Sequence, residues 1–107
     1  MTKYTLTVGL NDKITKTQLI NTENAHEIIA DTLLIDFDIY AFTMFECYGV
    51  YRHENGEIVK EKSFRIEIAS DDVIDGKICE IIKSLKVKLN QESIMYERVN
   101  YANIQFI

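Results

Sequence analysis

A chain of 107 residues that is 47% apolar and 27% charged has the composition of a folded soluble domain, which excludes a disordered or low-complexity segment. At that length one domain over residues 1–107 is expected, with a single core. The formal charge of −5 argues against general binding to nucleic-acid phosphates, and no apolar run approaches the ~20 residues that cross a bilayer, so neither nucleic acid nor membrane is an expected partner.

The chain opens without a signal-peptide apolar region and enters a strand at once, because Tyr4, Leu6, Val8 and Leu10 alternate with threonines. Gly9 reads as easing the end of that strand, since a phosphate loop needs more than one glycine. Asn11-Asp12-Lys13 then breaks the pattern. The stretch Ile14–Ile20 is either a short edge strand or an ordered loop. It is long for a strand-to-helix link, and such loops on rigid scaffolds often carry function.

Asn21 or Thr22 caps a first helix, with Glu23 and Glu27 near its positive end. Ala25, Ile28, Ile29 and Leu33 form its apolar stripe, and the helix is expected to end near Leu34. Two long strands follow, Ile39–Arg52 and Glu57–Ala69, folded around His53-Glu54-Asn55-Gly56, where Asn-Gly supplies two residues that tolerate positive φ. The return strand alternates, with Phe64, Ile66 and Ile68 on one side and Ser63, Arg65 and Glu67 on the other. The outgoing strand is bulky on both sides: Phe42, Met44, Tyr48 and Val50 on one, Phe45, Cys47 and Tyr51 on the other. Its second face is therefore expected to meet another subunit or a ligand, with Gly49 as a candidate bulge. Glu46 sits within this strand and would need a cation such as Arg65 or Arg52 if buried.

Ser70-Asp71-Asp72 is expected to open a second helix, whose apolar period runs through Ile74, Ile78, Ile81, Ile82, Leu85 and Leu89. Lys77, Lys83, Lys86 and Lys88 read as its solvated face. Asn90-Gln91-Glu92-Ser93 is the exit, and Ile94–Arg98 with Ala102–Ile107 is the last strand, bent at Asn100. The order β-α-β-β-α-β is that of an α+β, ferredoxin-like sandwich, an antiparallel sheet with two helices on one face. The uncovered face predicts a homo-oligomer, a dimer or trimer, with Phe42, Met44, Phe45 and Glu46 at the interface.

Catalytic signals are sparse. His26 lies off the first apolar stripe and His53 lies at the hairpin turn, with no Cys or carboxylate spacing to make a metal site, so no metal, cofactor or catalytic residue is assigned. Cys47 and Cys79 read as small buried apolar groups in a reduced, cytoplasmic setting. Tyr40, Tyr48, Tyr51, Tyr96 and Tyr101 offer stacking faces for a planar ligand or an interface. The favoured function is a non-catalytic oligomer that senses or sequesters a small anionic or nucleotide-like ligand between subunits. Asn11, Lys13, Thr15, Thr17, Tyr48, Tyr51, Lys60 and Arg65 are its candidate contacts. One alternative is an acidic protein-binding inhibitor or adaptor, such as a phage anti-defence factor, that meets its protein partner through Asp36, Asp38, Glu54 and Glu57. Another is a small dimeric ferredoxin-like enzyme with Glu46, His26 or a tyrosine as acid-base group.

Several short motifs, Gly49-Val50-Tyr51, Gly56, Glu61-Lys62-Ser63 and Gln91-Glu92-Ser93-Ile94, give the chain a resemblance. It resembles a bacterial and phage family of small proteins known as a domain of unknown function. The chain departs from that family in having tyrosine where tryptophan is frequent, and in Ile14–Ile20. The resemblance implies a ferredoxin-like fold and no established activity. In overall shape the chain is also similar to the trimeric nitrogen-regulatory signal proteins, an analogy of fold only.

Overall fold

The computed structural model describes residues 1–100 and 103–107. Its elements are β1 (Thr2–Gly9), α1 (Thr22–Asp31), a π-helical turn (Thr32–Asp36), β2 (Thr43–Arg52), β3 (Ile58–Ser70), α2 (Asp75–Lys88) and β4 (Met95–Val99). The four strands form one antiparallel sheet in the order β2-β3-β1-β4. This is the ferredoxin-like α+β fold that the sequence predicts.

Alternation builds the core. Tyr4, Leu6 and Val8 of β1 stand in register with Ile68, Ile66 and Phe64 of β3, so both strands present their apolar side chains to the same face. Ala25, Ile29 and Leu33 from the first helical segment, and Ile78, Ile81, Leu85 and Leu89 from α2, cover that face. Each fully buried aliphatic side chain there contributes roughly 1.5–3 kcal/mol relative to exposure.

Helix ends depart from the sequence expectation where tertiary contacts intervene. Asn21 caps α1 as anticipated, its side chain accepting from the Asn24 N–H at 2.7 Å. The chain then widens into a π turn, within which the Thr32 hydroxyl donates back to the Ile28 carbonyl at 2.6 Å. Lys88 bonds Thr32 and Asp36 at 2.8 and 2.7 Å, so it leaves the solvated lysine face to tie α2 to this turn. α2 begins at Asp75 and not at Ser70, and no neighbouring side chain caps it. The Ile74 N–H is instead satisfied by the Tyr4 hydroxyl at 2.9 Å, which in turn donates to Asp75 at 2.7 Å. Arg98 reaches the same Asp75 oxygen at 2.7 Å. Tyr4 first, then Arg98, hold the Asp75 carboxyl below its ordinary value.

Further corrections concern the strands and cysteines. β2 starts at Thr43 and pairs with β3 without interruption to Arg52, so Gly49 marks no bulge. Only Gly56 of the turn has positive φ, at 90°. Residues 103–107 form no strand, while Tyr101 and Ala102 lie outside the described residues. On the helix side of the outgoing strand Tyr48 and Val50 are exposed, so the helices do not cover that part of it; Phe45 and Tyr51 on the other face are exposed in the lone chain, and so is Glu46. Cys47 is half-buried and Cys79 exposed.

The uncovered sheet face carries Thr5, Thr7, Phe45, Arg65, Glu67, Met95 and Glu97. Arg65 pairs with Glu67 and Glu97 at 3.6 and 3.7 Å. The Thr7 hydroxyl is buried and has no hydrogen-bond partner among the described residues. No helix among the described residues is long and apolar enough to cross a membrane.

Candidate functional site

A cleft opens where β1 runs out before its neighbours do. β1 ends at Gly9, opposite Ser63, while β3 continues back to Ile58 and β2 forward to Arg52. Glu61 projects from β3 onto the uncovered face at that point. Its direct partner on β2 is Gly49, and Gly9 lies diagonally across on β1, so glycine flanks it on both sides. Asn11 donates its backbone N–H to Glu61 Oε2 at 2.9 Å, and Oε1 has no protein donor among the described residues.

The loop after β1 is ordered and not an edge strand, apart from one bridge between Asn11 and Gln18. Asp12 organises it. One carboxyl oxygen accepts from the N–H groups of Ile14 and Thr15 at 2.9 and 3.1 Å, and the other accepts from the Asn90 side chain at 2.6 Å. The Asn90 bond, followed by those from Thr15 and Ile14, holds the Asp12 carboxyl below its ordinary value.

The second wall is delivered by the end of α2. Asn90 adopts the left-handed conformation (φ 49°), its N–H bonding the Val87 carbonyl while the Gln91 N–H bonds that of Lys86. This is a Schellman-type ending, which turns the chain sharply and satisfies two terminal carbonyls. The buried Gln91 side chain then donates to the Asn11 carbonyl at 2.8 Å and to the Leu89 carbonyl at 3.1 Å, clamping the loop to the helix end. Glu92 and Ser93 follow at the rim.

The result is a cleft of about 440 Å³ lined by the loop (Asn11, Asp12, Lys13, Lys16), the hairpin (Tyr51, His53), Glu61, and Gln91–Ser93. Its size falls in the range of small-molecule sites. The Tyr51 and His53 rings meet edge to face, 5.2 Å apart. Such a site offers an aromatic edge for a planar base, the Glu92 carboxylate and the Oε1 of Glu61 for a cation, and two exposed lysines.

Of the candidates read from sequence, Asn11, Lys13 and Tyr51 come together in this cleft. Thr15 and Thr17 bond one another on the exposed loop at 3.0 Å, outside the lining. Tyr48 is 69% exposed on the helix-side face of the hairpin, and Lys60 shares that face. Arg65 is engaged with Glu67 and Glu97 on the uncovered face, and neither it nor Lys60 reaches the cleft. Met44, Phe45 and Glu46 line a separate groove with His26, while Phe42 lies in a groove near Ile104 and Phe106. Asp12 and Lys16 belong to the Asn11–Thr17 loop that the sequence marks for ligand binding, and His53 reads from sequence only as half of an unsupported metal pair; Glu61, Glu92 and Ser93 have no role assigned there. Glu61 and Gln91-Glu92-Ser93 also belong to motifs of the resemblance, and these two motifs converge here.

No protein-family model matches the chain, and neither does any curated protein. Solved structures do match. A phage SAM lyase in complex with S-methyl-5'-thioadenosine superposes with a TM-score of 0.65 and 25% identity, covering 92% of this chain and 79% of that one. The apo form of a phage SAM lyase gives a TM-score of 0.66 and 26% identity over 92% and 78% of the two chains. The periplasmic divalent cation tolerance protein CutA from Archaeoglobus fulgidus gives a TM-score of 0.64, covering 98% of this chain and 88% of that one. At 14% identity that likeness shows the fold alone.

Proposed function

We propose that this protein binds S-adenosylmethionine (SAM) in the Glu61 cleft and cleaves it to S-methyl-5'-thioadenosine, as an oligomer assembled through the uncovered sheet face. The observation that carries the reading is the seat of Glu61: a carboxylate with one oxygen that takes no donor from the described residues, beside Glu92 and an aromatic edge. The similarity to a lyase that holds this thioadenosine supports it.

The chemistry needs no nucleophile–base pair from the protein. The substrate's own carboxylate attacks Cγ of the amino-acid arm. A C–O bond forms as the Cγ–S bond breaks, and its electron pair stays on sulfur. The products are a neutral thioether, S-methyl-5'-thioadenosine, and α-amino-γ-butyrolactone. No proton moves and no co-reactant enters.

The protein must hold the arm folded for attack, where orientation alone can supply several kcal/mol of the barrier. Glu61 and Glu92 are assigned to the α-ammonium group, whose charge survives the reaction. A carboxylate on the sulfonium would stabilise the ground state over the transition state, because that charge disappears. Tyr51 and His53 take the base.

Acting on a methyl donor joins the ligand-binding and anti-defence readings of the sequence, since removing that donor starves methyl-dependent host enzymes. The test is incubation of purified protein with SAM, followed by chromatography of nucleosides. Release of S-methyl-5'-thioadenosine that is lost in Glu61→Gln supports the reading. Binding of SAM by calorimetry without cleavage returns it to a sequestering protein, and no binding refutes it.

A further inference from the structure

Gly9 reads from sequence as a residue that eases a strand end, yet its backbone does not need glycine. Among the described glycines only Gly56 has positive φ, so Gly9 sits in a conformation that alanine adopts freely. What glycine provides there is space. A Cβ on Gly9 would lie within 2.6 Å of all three carboxyl atoms of Glu61. The carboxyl group rests on the bare Cα surface, with the Asn11 N–H fixing one oxygen at 2.9 Å and leaving the other to the cleft. Glycine inside a strand is less stabilising than alanine, so nothing about the strand itself calls for it.

We infer that Gly9 is a positioning residue for catalysis: its missing side chain forms the seat that holds Glu61 in the cleft. The inference rests on the SAM-cleaving reading for its functional half and on geometry alone for the seat. The colliding atoms are the far end of a flexible side chain, so a Cβ at Gly9 displaces Glu61 without disturbing the core. Gly9→Ala is therefore a lesion of position and not of folding.

The experiment uses the full chain in three variants, Gly9→Ala, Glu61→Asp and the double substitution. It reads thermal midpoint, the Asn11 amide signal by NMR, and kinetics of SAM cleavage. Gly9→Ala is expected to melt within a few degrees of the wild type. Its Asn11 amide should shift as the carboxylate acceptor leaves, and kcat should fall at least tenfold with a smaller change in KM. Glu61→Asp shortens the side chain by one methylene and makes room for the Cβ. The further loss caused by Gly9→Ala should therefore be much smaller in the Glu61→Asp background than in the wild type.

Unchanged turnover in Gly9→Ala, or losses that multiply independently in the double variant, would overturn the inference. So would an unmoved Asn11 amide. A wild type that cleaves no SAM refutes the proposed function instead, and the Asn11 amide of Gly9→Ala then decides the seat by itself.

Discussion

Replacing Gln91 by leucine probes how the end of α2 holds the cleft. The side chain is buried, and its amide donates to two carbonyls, those of Asn11 and Leu89. Leucine keeps much of the volume and removes both donors. Each bond is worth ~0.5–1.5 kcal/mol net, and each buried acceptor left without a donor adds to the loss, so a destabilisation of about 1–3 kcal/mol is expected. For a domain of this size that corresponds to a fall in thermal midpoint of roughly 5–15 °C. Urea unfolding at fixed protein concentration measures it, with an unchanged slope showing that the unfolded state is not responsible. The lesion should also reach the site. Asn11 accepts from Gln91 through its carbonyl and donates to Glu61 through its N–H, so loosening one side of that residue releases the other. SAM turnover is expected to fall more than tenfold. A stability loss under ~0.5 kcal/mol, or full turnover at the reduced stability, would refute the clamp.

Two further outcomes follow from charge and exposure. The Asp12 carboxyl lies below its ordinary value of 3.8 when folded, so its contribution to stability is fully present above that value and is lost as pH falls through the lower folded one. Asp12→Asn should be less stable near neutrality yet lose less stability on acidification than the wild type, as followed by urea midpoints from about pH 7 to about pH 2. Parallel pH profiles for the two proteins would contradict this. On the uncovered face, Phe45 and Met95 are 43% and 61% exposed, so Phe45→Glu with Met95→Glu should cost a lone chain about 0.5 kcal/mol or less at each position. In an assembly joined through that face the pair should reduce the mass seen by light scattering to that of one chain, and an unchanged mass would place the contact elsewhere.

The parts of the fold that sequence foretold are those whose cause is local. Strict alternation marked β1 and β3, Gly56 marked the hairpin turn, and the spacing from Ile78 to Leu89 marked α2. The misplaced features are satisfied from a distance. The start of α2 looked as if Ser70 should cap it, but its free N–H is met by the Tyr4 hydroxyl, 70 residues away. The apolar pattern of β2 suggested cover by the helices on one face and by a subunit or ligand on the other. That inference assumed cover on the helix side, whereas the hairpin runs on past the helices and leaves Tyr48 and Val50 uncovered. The loop candidates Asn11 and Lys13 were legible because a long ordered link next to a strand end is a common place for a site. Glu61 was not, since the sequence holds many carboxylates. Its distinction comes from Gly9 on a different strand, whose bare Cα seats the carboxyl group and which only the register brings beside it.

The proposed chemistry accounts for the sparse catalytic patterns of the sequence. Nucleophile–base pairs, metal clusters and phosphate loops are signatures of proteins that supply the reacting group. In the cleavage proposed here the nucleophile and the leaving group belong to one substrate, and the bond change consumes one negative and one positive charge. A protein accelerates such a step by excluding water and fixing a conformer, and both tasks fall to shape and to groups that touch spectator atoms. A carboxylate on the α-ammonium group meets that requirement, because the ammonium keeps its charge from substrate to lactone. A carboxylate on the sulfonium does not. In the proposed reaction the position of Glu61 thus matters more than its basicity, and position is what Gly9 and the Asn11 N–H determine. In the proposed reaction the thioadenosine half carries no ammonium after cleavage and so has no hold on Glu61, which leaves it only the Tyr51 and His53 rings assigned to its base. The same carboxylate that orients the substrate therefore favours release of the nucleoside product.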